Sequence, residues 1–154
     1  MVRSNGQLVI KDHSQPFTGL LFENHANGQR KVEIEVRAGQ LNGLTRGWYP
    51  DGQLEIEESF IADLSNGSRT RWYPNGQKKS IASIRQGRLD GPYTEWHDNG
   101  QKAVAMTMID DQPHGLVEAW HPSGALKSRF RMEHGKSVTS EFFDDHSPAQ
   151  ATTR

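Results

Sequence analysis

Seven histidines, with Asp110, Asp111 and His114 close together in one loop, are the side chains of this 154-residue chain that could hold a metal ion. A metal needs ligands that converge within a few Å of one point. His97 and His121, however, stand 24 positions apart at equivalent places of a repeat, and two strands per repeat would hold them about 10 Å from each other. That spacing predicts surface or structural roles and no bound metal, and Asp110 and Asp111 read as the solvated tip of a turn. Nucleophilic catalysis needs a nucleophile, a base and an orienting group in one pocket. Serines and carboxylates here recur at surface positions of the repeat, and nothing interrupts the pattern as an active site would. Glu58 alone departs from it, a carboxylate in an otherwise apolar series, expected at a wide spot of the sheet edge where it reaches water. The glycines fall in β-turn contexts and not before helices, so they make no phosphate cradle. These residues describe a chain that is not an enzyme and has no cofactor.

The elements that position these residues are repeats. Trp48, Trp72, Trp96 and Trp120 are 24 residues apart, and so are Gly28, Gly52, Gly76, Gly100 and Gly124. A second column, Gly19, Gly43, Gly67, Gly91 and Gly115, stands nine residues before the first. Such self-similarity decides the architecture before local propensity does. Residues 1–18 read as a cap, with one strand around residues 7–11 and a turn before Pro16. Residues 19–143 hold five and a half repeats, the last ending with Phe142 in the tryptophan column and Phe143 after it. Residues 144–154 read as a disordered tail.

Within a repeat, Pro-Asn-Gly suits a three-residue hairpin loop with glycine in the left-handed conformation. After the turn, alternate positions are apolar, as in Val32, Ile34 and Val36 or Val104, Met106 and Met108, a period of two that marks a half-buried strand. The fold class is therefore all-β: an elongated single-sheet antiparallel meander of 24-residue β-hairpins, of eleven or twelve strands. A three-residue loop sets Trp72 opposite Lys78 and puts the tryptophans on the face of the apolar stripe. The next column, His25, Tyr49, Tyr73, His97, His121 and Phe143, then points outward as a ladder of rings. A two-residue loop would exchange the two columns. Proline at three of the five turns favours the longer loop.

Leu, Ile, Val and Phe make up only about a fifth of the chain, too few for a deep globular core and enough for a thin sheet. A net charge of −1 gives no reason to expect nucleic acid as a partner. There is no cysteine, so the redox compartment stays open. No apolar run reaches the length of a membrane span. No leader is visible, although the chain opens inside a partial repeat, Asn5-Gly6-Gln7-Leu8-Val9-Ile10, as it would had a leader been trimmed.

What remains is surface. Ala103, Ala105, Thr107 and Ile109, with Ile81 one repeat earlier, take outward positions that are charged elsewhere. Rings beside an apolar patch rimmed by Arg71, Lys79, Arg85 and Arg129 have the composition of a protein-interface centre. Ordinary variation among repeats, or a covering segment of the chain, would give the same composition. The expected binding residues are Tyr49, Tyr73, His97, His121, Ile81, Ala103, Ala105, Arg71 and Lys79, centred on repeats 2 to 4.

The unit Gly-x4-Trp-[Tyr/His]-x-[Asn/Asp/Ser]-Gly-Gln-x-[Lys/Leu] resembles the bacterial variant of the MORN repeat over about residues 19–143. Departures are Asn24 in place of tryptophan, Ala125 in place of glutamine, and no turn glycine after Phe143. Pro16-Phe17-Thr18-Gly19 is similar to the lead-in of YwqK-family antitoxins. That resemblance implies a bacterial protein, cytoplasmic or periplasmic, that binds and neutralises a cognate toxin or secreted effector. MORN proteins more broadly imply a second role, a scaffold or peripheral adaptor whose basic half, including Arg69, Arg71, Lys78 and Lys79, meets anionic lipid.

Overall fold

Two kinds of turn alternate along the chain, and the residue types account for both. At Tyr73-Pro74-Asn75-Gly76-Gln77 the Tyr73 amide donates to the Gln77 carbonyl (2.8 Å) and the Gly76 amide to the Tyr73 carbonyl (2.9 Å), which leaves three residues at the tip. Pro74 presets φ for the first turn position. The Asn75 carboxamide oxygen accepts from the Gln77 amide (3.0 Å), and Gly76 takes φ +81°, a region that a Cβ makes costly. The same backbone pair recurs at 25–29, 49–53, 97–101 and 121–125. At the opposite edge, Ala38-Gly39, Ala62-Asp63, Gln86-Gly87 and Asp110-Asp111 form two-residue turns with positive φ at both positions, the geometry that matches strand twist.

The computed structural model describes residues 2–4, 7–9, 15–133 and 135–145. Among them are thirteen strands and no helix: β1 (Val2–Ser4), β2 (Gln7–Val9), β3 (Gly19–Asn24), β4 (Arg30–Arg37), β5 (Gln40–Trp48), β6 (Leu54–Ile61), β7 (Leu64–Trp72), β8 (Lys78–Arg85), β9 (Arg88–Trp96), β10 (Lys102–Ile109), β11 (Gln112–Trp120), β12 (Leu126–Glu133) and β13 (Lys136–Phe142). Strands β3 to β13 pair in sequence order as one open antiparallel meander. The fold is thus all-β, as the repeat predicts. The cap holds one strand more than expected, since β1 and β2 pair with each other in a separate two-stranded sheet. It is fastened to the first two-residue turn: the Leu8 amide donates to the Gly39 carbonyl and the Gly39 amide to the Phe17 carbonyl, each at 2.7 Å. Residues 10 and 11, where the cap strand was expected to continue, lie outside the described residues, as does the expected tail from residue 146 on.

The faces of the sheet follow from register, because residues paired across antiparallel strands share a face. Arg71 pairs with Ser80 and Arg69 with Ala82, so these four lie with Ile84 on the apolar-stripe face. Trp72 does pair with Lys78, but Lys79 is left over between the two pairs as a bulge. The extra residue reverses the alternation, and Trp72 points to the opposite face. The same shift separates Gly47 from Trp48 and Ala119 from Trp120. The expectation that the tryptophans share the stripe face is therefore corrected. They occupy the other face, half-buried, and the ring column lies on the stripe side.

The inner glycine column makes a second bulge. Ala82 pairs with Tyr93 while Ile84 pairs with Leu89, so β9 carries two extra residues around Gly91. Gly91 has φ +116°, and a Cβ there would stand 2.9 Å from the Ser83 Cβ. Only glycine lets the strands close over this point. The last strand has Thr139 where that glycine would recur, and its register changes accordingly. Phe142 pairs with Ser128 on the stripe face and packs edge-on against Phe130, ring centroids 5.4 Å apart. Phe143, not Phe142, fills the tryptophan position.

Candidate binding surfaces

The ring ladder is a set of fasteners between repeats. The Tyr49 hydroxyl donates to the Trp72 carbonyl and the Tyr73 hydroxyl to the Trp96 carbonyl, each at 2.8 Å. His25, His97 and His121 bring Nε2 to the carbonyls of Trp48 (2.7 Å), Trp120 (2.9 Å) and Phe143 (3.3 Å). Each ring thus satisfies an acceptor one repeat on. The turn residues beside them do the same: the Asn27, Asn75 and Asn99 amides donate to the carbonyls of Pro50, Asp98 and Pro122 at 2.6–2.7 Å. Asp111 sits at the other edge, exchanging bonds with the backbone of Leu89 through its amide (3.0 Å) and carboxylate (2.8 Å). Among the described residues no three His, Asp or Glu side chains group as a metal would require.

The stripe face carries a polar cluster at its middle. Glu58 is buried, at 8% exposure, and so does not reach water as expected. It accepts from Arg69 (2.6 Å) and from the Ser65 hydroxyl. Burial pushes its carboxyl upward, but those two hydrogen bonds and the charges of Arg69 and Arg71 outweigh burial and hold it below its ordinary value. Across Ala82 from Arg69 stands Tyr93, whose hydroxyl donates to Glu95. Burial, then that bond and the Glu95 charge, push the Tyr93 phenol up to about 12. Lys79 reaches over the Tyr73 ring, 5.4 Å from its centroid, and Arg71 makes no ion pair among the described residues.

The tryptophan face has a different pattern. One row of direct cross-strand neighbours runs Glu33, Arg46, Glu57, Thr70, Ile81, Thr94, Ala105, Glu118, Arg129, Glu141. At one end Arg46 bonds Glu57 (2.7 Å) and faces Glu33 (3.9 Å); at the other Arg129 bonds Glu118 (2.9 Å) and faces Glu141 (3.8 Å). Between these ladders the row itself carries no charge over four consecutive strands, a span of about 14 Å, with Lys78 and Lys102 outside it, opposite Trp72 and Trp96. The neighbouring row is neutral too, with Ser68 opposite Ser83 and Pro92 opposite Thr107. Trp72 and Trp96 close the other side of the patch.

The nine residues expected to bind therefore do not form one surface. Tyr49, Tyr73, His97, His121, Arg71 and Lys79 belong to the stripe side, Ile81 and Ala105 to the tryptophan side, and Ala103 is the bulged residue between Lys102 and Val104. Sequence reasoning missed Thr70, Thr94, Trp72 and Trp96 as neighbours of Ile81 and Ala105. Comparing column 46, 70, 94, 118 for charge would have found the two threonines; no residue type announces the bulge that brings in the tryptophans.

Residues 41–62 and 65–85 match the family described as MORN repeat variant. These stretches are the hairpins β5–β6 and β7–β8, under a third of the chain. No curated protein matches the sequence.

Proposed function

We propose that the chain is a non-catalytic repeat scaffold that grips a partner protein on the tryptophan face, acting as an antitoxin or immunity protein toward a cognate bacterial toxin or effector. The observation that carries this reading is the neutral patch on β7 to β10 between two ion-pair ladders, each setting one arginine between two carboxylates. An uncharged centre flanked by aromatic side chains and a charged rim is the composition of an interface hot spot. Four paired strands hold it rigid, which lowers the ordering cost of association. The antitoxin role in particular is supported by the resemblance at Pro16-Phe17-Thr18-Gly19.

Nothing in the geometry favours the lipid reading. Of the basic residues named for it, Lys78 lies on the tryptophan face, Arg71 and Lys79 lie on the other, and Arg69 is tied to Glu58. The test is co-expression with the product of the adjacent gene, followed by calorimetry on the purified pair. Rescue of growth and tight binding that persists at 0.5 M salt is expected. Absence of binding there, with capture by anionic vesicles at low salt, would replace this reading with the adaptor role.

A further inference from the structure

We infer that the trough over β8, on the stripe face, is a binding site for a single carboxylate group, a site distinct from the tryptophan face and independent of the function proposed above. The first two stripe positions of the second strand in each repeat are Val32 and Ile34, Ile56 and Glu58, Ser80 and Ala82, Val104 and Met106, Ser128 and Phe130. Only β8 places a small residue at both. Ser80 and Ala82 are themselves buried, and above them the missing side-chain volume leaves an open groove of about 180 Å3. Arg69 and Arg71 form one wall and Tyr93 and Glu95 the other, two strand spacings, or about 10 Å, apart. Lys79 closes one end and Leu89 adds an apolar contact.

The charges select the ligand. Arg69 is committed to Glu58, whereas Arg71 and Lys79 have no carboxylate partner among the described residues and both also border the adjoining groove of Tyr49, Glu55 and Ile56. A planar carboxylate can take two parallel hydrogen bonds from the Arg71 guanidinium and a third from Lys79, while its carbon body rests on Ala82 and Leu89. The groove is lined by three cations and one carboxylate, Glu95. Glu58 on the next strand takes up Arg69 and Glu55 lies in the adjoining groove, so within this groove one further negative charge completes the balance. A dianionic phosphate would overshoot it and meet the Glu95 wall. A free organic acid and the side chain of an acidic peptide present this same group.

The test is proton–nitrogen correlation NMR of the whole chain, titrated with sodium acetate, with the blocked peptide acetyl-Gly-Glu-Gly-amide and with sodium phosphate, each against sodium chloride of equal ionic strength. Saturable shifts confined to Ser80, Ala82, Leu89 and their neighbours are expected with acetate and the peptide. Binding of the peptide at least fivefold tighter than acetate identifies an acidic side chain as the natural source; equal affinity identifies a small organic acid. Arg71→Gln with Lys79→Gln should weaken either at least tenfold while the rest of the spectrum is unchanged. Shifts no larger than those with chloride, phosphate binding more tightly than acetate, or full binding by the folded double variant would each overturn the site.

Discussion

The hydroxyl of Tyr73 donates to the main-chain carbonyl of Trp96, 2.8 Å away and one repeat further along the sheet. The aromatic ring after each tryptophan is thus a link in a chain of repeats, its tip satisfying an acceptor of its neighbour. Tyr73→Phe removes the donor and little else, so it should cost about 1 kcal/mol. Urea unfolding measures this. An unchanged midpoint would mean that solvent serves the Trp96 carbonyl equally well.

The two glycine columns differ in what surrounds them. Gly28 has φ +85° and open space where a Cβ would go, whereas Gly91 has φ +116° and the Ser83 Cβ at 2.9 Å. Gly28→Ala should cost about 1 kcal/mol from backbone strain alone. Gly91→Ala adds a steric overlap and should cost about 2 kcal/mol or more. The two unfolding midpoints, compared side by side, check the order.

Much of this architecture was legible in the sequence, and what was hidden has one physical cause. Pro74, Asn75 and Gly76 announce their turn because each fills a position that few residues tolerate. The alternation of Val32, Ile34 and Val36 announces a strand half out of water. The bulge at Lys79 has no such signature, since a lysine sits as comfortably in a bulge as in a ladder. Because side chains alternate with a period of two, that one unannounced residue moved Trp72 to the other face and split the expected binding residues between two surfaces. At the carboxyl-terminal edge Thr139 replaces the bulge glycine, and the resulting slip exchanged Phe142 with Phe143.

Glu58 should give the protein an acid-side pH dependence. Its folded carboxyl titrates below the ordinary value of 4.5, so its contribution is present above that value and is lost as pH falls through the lower, folded one. Thermal unfolding between pH 6 and 3 should show Glu58→Gln less stable than the parent near neutrality and less steeply dependent on pH. Parallel curves would mean that the Arg69 contact contributes nothing to stability.

Tyr93 should act at the alkaline end. Its phenol is raised from 10.0 to about 12, so the neutral form stabilises the fold below pH 10 and that stability is lost as pH rises toward 12. Absorbance at 295 nm should show a last tyrosine ionisation near pH 12 that Tyr93→Phe removes. If the step persists in that variant, Tyr93 is not the buried phenol.

Thr94 lies at the centre of the neutral patch, paired with Ile81 on one side and Ala105 on the other, and is half-buried on the face opposite the stripe. Calorimetry of Thr94→Arg against the product of the adjacent gene, after circular dichroism confirms the sheet, tests the tryptophan face most directly. Loss of at least about 2 kcal/mol of binding, roughly thirtyfold in affinity, is expected. Parental affinity in a folded Thr94→Arg variant would contradict the assignment and place the partner elsewhere on the sheet.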